Sequence, residues 1–484
     1  RVAILSLNSD RYLEYFYAIP WAGMALNPIN IRLAPPEIAY ALNDSRSSVL
    51  FVDDAFSAML PVLRPLLQSV SHVVFMGEGD LPEGCVAYES LIDQHTPLAD
   101  RSEGGAQLAG LFYTGGTTGR SKGVMLSHDN LVFNALNVVP EMGYGFDTIY
   151  MHAAPMFHLA DMASTFAVTL AGGSHGIVPR FDVGGVLSFM EREKITHTLL
   201  VPTMINLLVS SGKIKDFDVS SVKRMLYGAS PMPEAVLIAA MEQMPDALFA
   251  QGYGQTEASP IITVLAPEFH VLGGAKLRSA GRAALGVEVA IMDKDDVELP
   301  RGKVGEICAR GPNVMLGYWG MEQASAETLR HDWLHTGDLG HVDADGYLFL
   351  QGRRSDMIKT GAHRVHPNDV EEVIAELAGI REVAVVGVAD QLAQLRGIEV
   401  GNGSGRAASL TVSALADTQW LEIGQAVHAR EPVAVAPVLH SHQHRILGEG
   451  PLEVPALAGR MPIQVRLQRH AHARHIIAAG AGDI

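Results

Sequence analysis

The sequence has few cysteines, no excess of positive charge and no long apolar run, and each shortage excludes a class of protein. Only Cys85 and Cys308 occur among the 484 residues, which excludes a disulfide scaffold and favours a reducing cytoplasm. The net charge of −17 argues against a nucleic-acid partner and against docking on anionic lipid. Because no apolar run is long enough to cross a bilayer, we expect no transmembrane segment. The sequence therefore predicts a cytoplasmic protein.

The composition and patterning indicate a large globular α/β protein. Apolar residues make up 48% of the chain and charged residues 18%, and 484 residues suffice for two or more domains. Short β-branched runs, as in residues 48–52 and 72–76, alternate with helical patterns such as residues 35–44. Short strands and Gly/Asp turns predict a β-rich part over residues 281–352. Residues 1–6 already lie within a strand-like pattern, so we expect a preceding segment.

One segment combines glycine, hydroxyl and basic residues in a way that suits a polyphosphate. It is Tyr113-Thr-Gly-Gly-Thr-Thr-Gly-Arg-Ser-Lys-Gly123. Glycines let backbone N–H groups approach an anion, while the hydroxyl and basic side chains add donors and charge. An apolar run before the segment predicts a strand and residues 127–130 predict a helix start, an arrangement that captures phosphate. The alternative is a flexible surface turn.

The segment differs from two common nucleotide motifs. Lys122 stands between Ser121 and Gly123, whereas a Walker A lysine stands between glycine and serine or threonine. The segment also contains no G-x-G-x-x-G, so the dinucleotide fingerprint is absent.

Four further motifs follow in the chain. They are Tyr227-Gly-Ala-Ser-Pro231, Gln251-Gly-Tyr-Gly-Gln-Thr-Glu257, Leu334-His-Thr-Gly-Asp338 and Gly352-Arg353. With the glycine-rich segment, and in this order, they resemble the acyl-adenylate-forming superfamily of AMP-dependent synthetases and ligases. The resemblance extends from residue 1 to residue 390. Within the superfamily it is most similar to fatty-acid–CoA ligases and other acyl-CoA synthetases.

This resemblance implies a fold and an activity. The implied fold is α/β, with a large multi-subdomain N-terminal adenylate-forming domain of two α/β sheets and a β-barrel-like part. A small, incomplete C-terminal α+β domain follows it. The implied substrates and cofactors are a small-molecule carboxylic acid, ATP, Mg²⁺ and coenzyme A. The carboxylate would attack the α-phosphate, pyrophosphate would leave, and the CoA thiol would then attack the acyl-AMP.

The resemblance also assigns roles to individual residues. The residues implied to bind the nucleotide are Thr114, Gly115, Gly116, Thr117, Thr118 and Gly119 at the phosphates, Gly228, Ala229, Ser230 and Tyr253 at the adenine, and Asp338 and Arg353 at the ribose. The residues implied in catalysis are Lys122, Thr256, Glu257 and His158. Glu257 would also hold Mg²⁺, which prefers carboxylate and phosphate oxygens. Taken singly, Asp338 could instead cap a turn and Glu257 could be a solvated acid.

The acyl side of the predicted pocket depends on an apolar segment. Pro155-Met-Phe-His158 matches a family motif at this place, although an isolated histidine in an apolar stretch is more often a core residue. Residues 159–162 and 201–204 would shape an acyl tunnel, and their Met, Leu and Ala content suits an aliphatic chain. Ordinary core packing explains the same composition.

The C-terminal part departs from the family. Ser355 occupies the hinge position, where the family usually has Asp or Lys. The family's C-terminal catalytic lysine has no counterpart, because no lysine follows Lys359. The histidine groups 440–444 and 470–475 lack an acidic or cysteine partner at a recognisable zinc spacing. We expect an adenylate-forming domain over 1–352, the start of a mobile C-terminal domain over 353–390, and a frame-shifted or disordered tail over 391–484.

The sequence thus predicts an ATP-dependent carboxylic acid–CoA ligase, with medium- or long-chain fatty acids favoured and adenylation impaired. Two alternatives stay open: an acyl-adenylating enzyme that loads a carrier protein, and a catalytically dead nucleotide- or acyl-binding protein. The sequence leaves the oligomeric state open, with a homodimer as one alternative.

Overall fold

The chain folds into two units of unequal size. The computed structural model describes residues 1–115, 120–360, 363–365, 367, 370, 385–389, 396–402, 406–408, 433–436 and 466–469. The first unit comprises Arg1–Thr336 and His341–Phe349, and the second comprises Gly337–Gly340 and Leu350–Ile484. The chain therefore passes between the units more than once.

An eight-stranded sheet forms one part of the first unit, in the order β17-β7-β6-β2-β1-β3-β4-β5. Its strands are β1 (Val2–Leu5), β2 (Leu26–Pro28), β3 (Val49–Val52), β4 (His72–Phe75), β5 (Val86–Ala87), β6 (Leu108–Thr114), β7 (Lys122–Ser127) and β17 (Gly317–Tyr318). Five helices accompany it: α1 (Asp10–Trp21), α2 (Pro35–Asp44), α3 (Asp54–Ser57), α4 (Leu60–Leu63) and α5 (Tyr88–Gln94). Along this order the strands from β6 to β5 pair in parallel, whereas β7 pairs antiparallel with both β6 and β17. Parallel pairing requires crossover connections, and helices supply most of them.

A seven-stranded sheet forms another part of this unit, in the order β14-β13-β12-β11-β10-β8-β9. Its strands are β8 (Ile149–His152), β9 (Ser174–Ile177), β10 (His197–Leu199), β11 (Arg224–Gly228), β12 (Leu248–Gly254), β13 (Ile261–Leu265) and β14 (Arg282–Ala283). Its helices are α6 (His128–Met142), α7 (Leu159–Leu170), α8 (Val183–Glu193), α9 (Pro202–Ser210) and α10 (Glu234–Gln243). Buried Val, Leu, Ile and Met side chains from strands and helices form one continuous core here.

The predicted β-rich part contains a four-stranded sheet in the order β15-β16-β18-β19. Its strands are β15 (Glu288–Met292), β16 (Gly305–Arg310), β18 (Leu334–Val342) and β19 (Leu348–Arg353), and the short helix α11 (Glu322–Thr328) precedes β18. The mixed α/β architecture with several sheets confirms the predicted fold class. Among the described residues, no helix combines the length and apolar character needed to span a bilayer.

The second unit contains short antiparallel pairs. Its further described strands are β20 (Ile358–Thr360), β21 (His363–Val365), β22 (Val385–Ala389), β23 (Arg396–Asn402), β24 (Arg406–Ala408), β25 (Val433–Ala436) and β26 (Arg466–Arg469). They pair as β20-β21, β22-β23-β24 and β25-β26. The histidine groups 440–444 and 470–475 lie outside the described residues. The division of the C-terminal part at residues 352 and 390 stays a prediction.

Local sequence signals account for several element boundaries. Helix α2 begins at Pro35, where a proline ring fits the first turn because its missing N–H would have no helical partner. Helix α6 begins after Ser127, whose side chain accepts from the N–H of Asn130, while the Asn130 side chain accepts from the Ser127 N–H. This capping box agrees with the helix start predicted at residues 127–130.

Candidate active site

The glycine-rich segment joins two strands that pair with each other. Strands β6 and β7 pair antiparallel, and their last partners before the loop are Thr114 and Lys122. The predicted order of strand, loop and helix lacked strand β7 (Lys122–Ser127), which separates the loop from helix α6 (His128–Met142). Four of the six residues of β7 are buried, and the strand pairs with β6 along its whole length.

The two ends of the phosphate loop are described. Thr114 and Lys122 are partly buried and Gly115 is exposed. The other predicted phosphate-binding residues, Gly116, Thr117, Thr118 and Gly119, lie outside the described residues.

Lys122 and Glu257 meet the same tyrosine. The Nζ of Lys122 lies 4.6 Å from the centroid of the Tyr318 ring, an ammonium–aromatic contact. The hydroxyl of Tyr318 donates to Oε1 of Glu257 at 2.8 Å. Two charged side chains predicted to act at the phosphates thus contact one phenol, Lys122 at the ring and Glu257 at the hydroxyl.

Backbone contacts hold the turn that carries Thr256 and Glu257. The turn Thr256–Ala258 is a 3₁₀ helix directly after strand β12. The Glu257 carbonyl accepts from the N–H of Met315, and the Nδ2 of the buried Asn313 donates to the Ala258 carbonyl. These bonds connect the turn to the segment before β17, which places Glu257 beside Tyr318.

A small pocket brings His158 and Thr256 together. Its lining residues are Pro28, Asn30, Phe112, Tyr113, Phe157, His158, Leu159 and Thr256. Phe112 and Tyr113 belong to β6, the strand that leads into the phosphate loop. Two of the predicted catalytic residues therefore share a pocket that opens next to this strand.

His158 is neutral at physiological pH. It is the residue before helix α7, and its side chain makes no capping hydrogen bond there. Partial desolvation of the ring, with the charge of Arg32, lowers the pKa of His158 to about 4, although the residue as a whole is exposed. A neutral imidazole can orient or accept a hydrogen bond from a ligand, but adds no charge near neutral pH.

The predicted adenine-side residues lie at the ends of β11 and β12. Gly228 pairs with Gly252 across these strands, and a Cβ on Gly228 would lie 2.1 Å from the Gly252 oxygen. Ala229 follows with a φ of 65°, a left-handed conformation that is uncommon outside glycine. Ala229 and Ser230 are exposed and Tyr253 is buried. The chain thus turns sharply out of β11 and presents two small residues to solvent.

Asp338 and Arg353 form an ion pair in the second unit. Arg353 Nε lies 3.3 Å from Asp338 Oδ1, with the Asp338 side chain 14% exposed and that of Arg353 54% exposed. The N–H of Arg354 donates to the Gly337 carbonyl at 2.9 Å and fixes the two chain segments side by side. The two residues predicted at the ribose are therefore neighbours.

The donor set suits magnesium better than zinc. Within the described part of the chain, no group of three or more His, Cys, Asp or Glu side chains could hold a metal by itself. Glu257 offers a partly buried carboxylate whose Oε1 is held by Tyr318. Mg²⁺ is commonly bound by one or two carboxylates with phosphate oxygens and water completing its shell. The residues present thus fit a metal that arrives with a polyphosphate.

A comparison with known protein families decides the identity. The family model described as AMP-binding enzyme matches residues 1–319. The chain belongs to this family.

Relatives of this AMP-binding enzyme include ligases for different acids. A feruloyl-CoA synthase of an Amycolatopsis species is 36% identical over 391 residues, which cover 81% of this chain and 76% of the relative. A medium/long-chain-fatty-acid–CoA ligase of Mycobacterium tuberculosis is 33% identical over 399 residues, covering 81% of this chain and 69% of the relative. A solved structure of an anthranilate CoA ligase in complex with anthranoyl-AMP matches with a TM-score of 0.75 and 27% identity, covering 85% of this chain and 77% of that one. The family is thus that of ATP-dependent, AMP-forming carboxylic acid–CoA ligases.

Sequence reasoning missed two features of this AMP-binding enzyme. Tyr318 was not predicted at the site, because nothing in Gly317-Tyr318 shows which side chains the tyrosine meets. A buried polar chain was also missed: His152 Nδ1 lies 2.6 Å from Asp161 Oδ2, and His152 Nε2 lies 2.9 Å from His175 Nδ1. The three residues belong to three different elements, β8, α7 and β9, so only the packing of these elements shows the chain of hydrogen bonds.

Proposed function

We propose that the protein is an ATP- and Mg²⁺-dependent ligase that joins an apolar carboxylic acid to coenzyme A through an acyl-AMP intermediate. The observation that carries this proposal is the pocket lined by both His158 and Thr256, directly beside the strand that leads into the phosphate loop. Glu257 follows Thr256, and Lys122 begins the strand that leaves the loop. Groups for a metal, for phosphates and for an acyl substrate therefore belong to one small region of the first unit.

The reaction needs alignment and charge compensation more than covalent help from the protein. In the first step the substrate carboxylate forms a bond to the α-phosphorus, and the bond to pyrophosphate breaks. In the second step the CoA sulfur forms the thioester, AMP leaves, and the thiol proton passes to solvent. Mg²⁺ bound at Glu257 would neutralise phosphate charge. Lys122 adds a positive charge beside the same phosphates, and the Thr256 hydroxyl donates towards the α-phosphate.

The nucleoside part of ATP would rest on the remaining predicted residues. We propose that Gly228, Ala229, Ser230 and Tyr253 border the adenine. Asp338 is proposed to accept from the ribose hydroxyls while Arg353 orients its carboxylate through their ion pair. We also propose that six residues bind the β- and γ-phosphates: Thr114, Gly115, Gly116, Thr117, Thr118 and Gly119.

For the acid, we propose an aromatic carboxylate first and a medium- or long-chain fatty acid second. The rings of Phe112, Tyr113 and Phe157 line the pocket with His158, and aromatic side chains pack well against a planar ring. The feruloyl-CoA synthase and the anthranilate CoA ligase support the first class. The medium/long-chain-fatty-acid–CoA ligase supports the second.

A CoA-dependent AMP-release screen tests this function. The panel comprises ferulate, anthranilate, indoleacetate, octanoate and palmitate, each with ATP and Mg²⁺. We expect AMP release that requires both CoA and one acid of the panel. Release with a carrier protein in place of CoA would favour the carrier-loading alternative. ATP binding in calorimetry without turnover of any acid would favour a nucleotide-binding protein without catalysis.

We further propose the domain division 1–352, 353–390 and 391–484, with the middle part as the start of a mobile C-terminal domain. Ser355 would then serve as its hinge, since it follows the ion-paired Arg353. The two cysteines in 484 residues support a reducing compartment such as the cytoplasm. Analytical ultracentrifugation would test the homodimer alternative.

A further inference from the structure

Tyr318 lies between the two charged side chains that the proposed function places at the phosphates. Its hydroxyl donates to Glu257 Oε1 at 2.8 Å, and the Lys122 ammonium lies 4.6 Å from its ring centroid. One phenol therefore contacts a cation through its face and a carboxylate through its hydroxyl.

The tyrosine is held firmly in this place. Tyr318 is 6% exposed and pairs with Val124 of β7, the strand that begins at Lys122. Its N–H donates to the Ser325 hydroxyl at 2.8 Å. The ring is thus fixed to the strand that carries Lys122.

The same segment also fixes the carboxylate. The N–H of Met315 donates to the Glu257 carbonyl at 2.9 Å, three residues before Tyr318. The segment that carries Tyr318 therefore also holds the turn that carries Glu257.

An interposed tyrosine changes what the two charges can do. A lysine and a glutamate that contact the same side chain could instead form a direct ion pair, and each would then neutralise the other. The ring face attracts the ammonium without removing its charge, and the hydroxyl occupies only one carboxylate oxygen. Glu257 keeps a second oxygen for a metal, and the Lys122 charge remains free to meet a phosphate.

We propose that Tyr318 is a positioning residue that keeps Lys122 and Glu257 apart, so that both bind the magnesium-bound triphosphate. This inference rests on the proposed function, since it assigns Tyr318 a task at the same ATP site. Tyr318 touches neither the reacting carboxylate nor the α-phosphate in this scheme.

Calorimetry of ATP binding, with and without Mg²⁺, tests the proposal on the full chain. Tyr318→Phe removes the hydroxyl and keeps the ring. We expect the affinity for MgATP to fall about tenfold, because the carboxylate of Glu257, the proposed metal ligand, loses a hydrogen bond. The affinity for metal-free ATP should change little. Tyr318→Leu also removes the ring, so Lys122 can pair with Glu257 and both affinities fall further.

Tyr347→Phe is the matched control. The ring of Tyr347 lies 4.6 Å from the Nζ of Lys276, and its buried hydroxyl has no hydrogen-bond partner among the described residues. We expect this variant to bind MgATP as the wild type does. Equal losses in Tyr347→Phe and Tyr318→Phe would overturn the proposal, since they would indicate a general packing effect.

A double-variant cycle gives a second measure. If Tyr318 acts through Glu257, adding Tyr318→Phe to Glu257→Gln costs no further MgATP affinity, whereas additive losses contradict the proposal. The proposed function fails separately: a wild-type chain that binds no ATP would overturn the nucleotide site and the role of Tyr318 with it. Wild-type ATP binding with unchanged affinities in both Tyr318 variants would overturn the positioning role alone.

Discussion

Gly228 shows how a single residue connects the sheet to the proposed nucleotide site. It ends strand β11, pairs with Gly252 and precedes the left-handed Ala229. A methyl group at position 228 would meet the backbone oxygen of Gly252, which cannot move aside as a flexible side chain can. The glycine in Tyr227-Gly-Ala-Ser230 is therefore required by the close approach of two strands.

We predict that Gly228→Ala destabilises the protein by about 1–3 kcal/mol, the usual cost of overpacking a close-packed core. Urea unfolding followed by circular dichroism measures this change. Gly145→Ala is the control, because its added Cβ would lie 3.5 Å from its nearest neighbour, the Asp147 side chain. An unchanged unfolding midpoint for Gly228→Ala would contradict the prediction.

At the scale of elements, helix α7 links the pocket to a buried polar chain. His158 precedes its first residue, and Asp161 lies one turn further on, fully buried. Asp161 accepts from His152 of β8, whose other nitrogen contacts His175 of β9. These hydrogen bonds connect helix α7 to strands β8 and β9, and they thereby position His158 at the pocket.

We predict that Asp161→Ala lowers stability by about 3–5 kcal/mol, because it leaves His152 buried without its acceptor. Thermal unfolding measures the loss. The control is Asp147→Ala, which breaks the solvent-exposed pair with Lys223 and should change the melting temperature little. Equal decreases of the melting temperature in Asp161→Ala and Asp147→Ala would contradict the prediction, because the buried hydrogen bonds would then stabilise the protein no more than the exposed ion pair does.

At the scale of the whole molecule, neutral histidines make stability depend on pH. Burial lowers the pKa of His175 and of His197 from 6.5 to about 4, helped by His152 for the first and by Arg224 and Lys223 for the second. Asp147 and a backbone contact with Met142 oppose the shift of His197. As pH falls, the unfolded chain therefore takes up protons before the folded one does.

The two neutral histidines stabilise the folded protein fully above pH 6.5, the pKa of histidine in the unfolded chain. This contribution to the free energy of unfolding is lost as pH falls towards about 4, their pKa in the folded protein. We predict a lower melting temperature at pH 5 than at pH 7, and a weaker pH dependence in His197→Asn. His72→Gln, at an exposed position, should retain the wild-type dependence. A flat melting temperature between these pH values would contradict the prediction.

A further whole-molecule prediction concerns the two half-reactions. The resemblance implies a C-terminal lysine in adenylation, and no lysine follows Lys359 in these 484 residues. We predict pyrophosphate release about 10²- to 10³-fold slower than that of the feruloyl-CoA synthase relative, the usual cost of one lost charge-stabilising donor. Thioester formation from synthetic acyl-AMP bypasses that step and should be affected less. Equal pyrophosphate release by both enzymes would contradict this.

The sequence by itself determined the family, the α/β class and many element boundaries. Helix α2 and the start of helix α6 could be predicted because Pro35 and the Ser127–Asn130 box act locally. The motif order also predicted Lys122, Glu257 and His158 as members of a site, though not which of their neighbours they would meet.

Only the tertiary structure decided the surroundings of those residues. Strand β7 forms because β6 offers it a partner, and this turned a predicted strand–loop–helix into a hairpin. Tyr318 meets Lys122 and Glu257 because β17 pairs with β7, a contact between segments almost two hundred residues apart. Local propensity acts over a few residues, whereas strand pairing and burial depend on the whole fold, so the sequence predicts candidate site residues and only the structure shows which neighbours they contact.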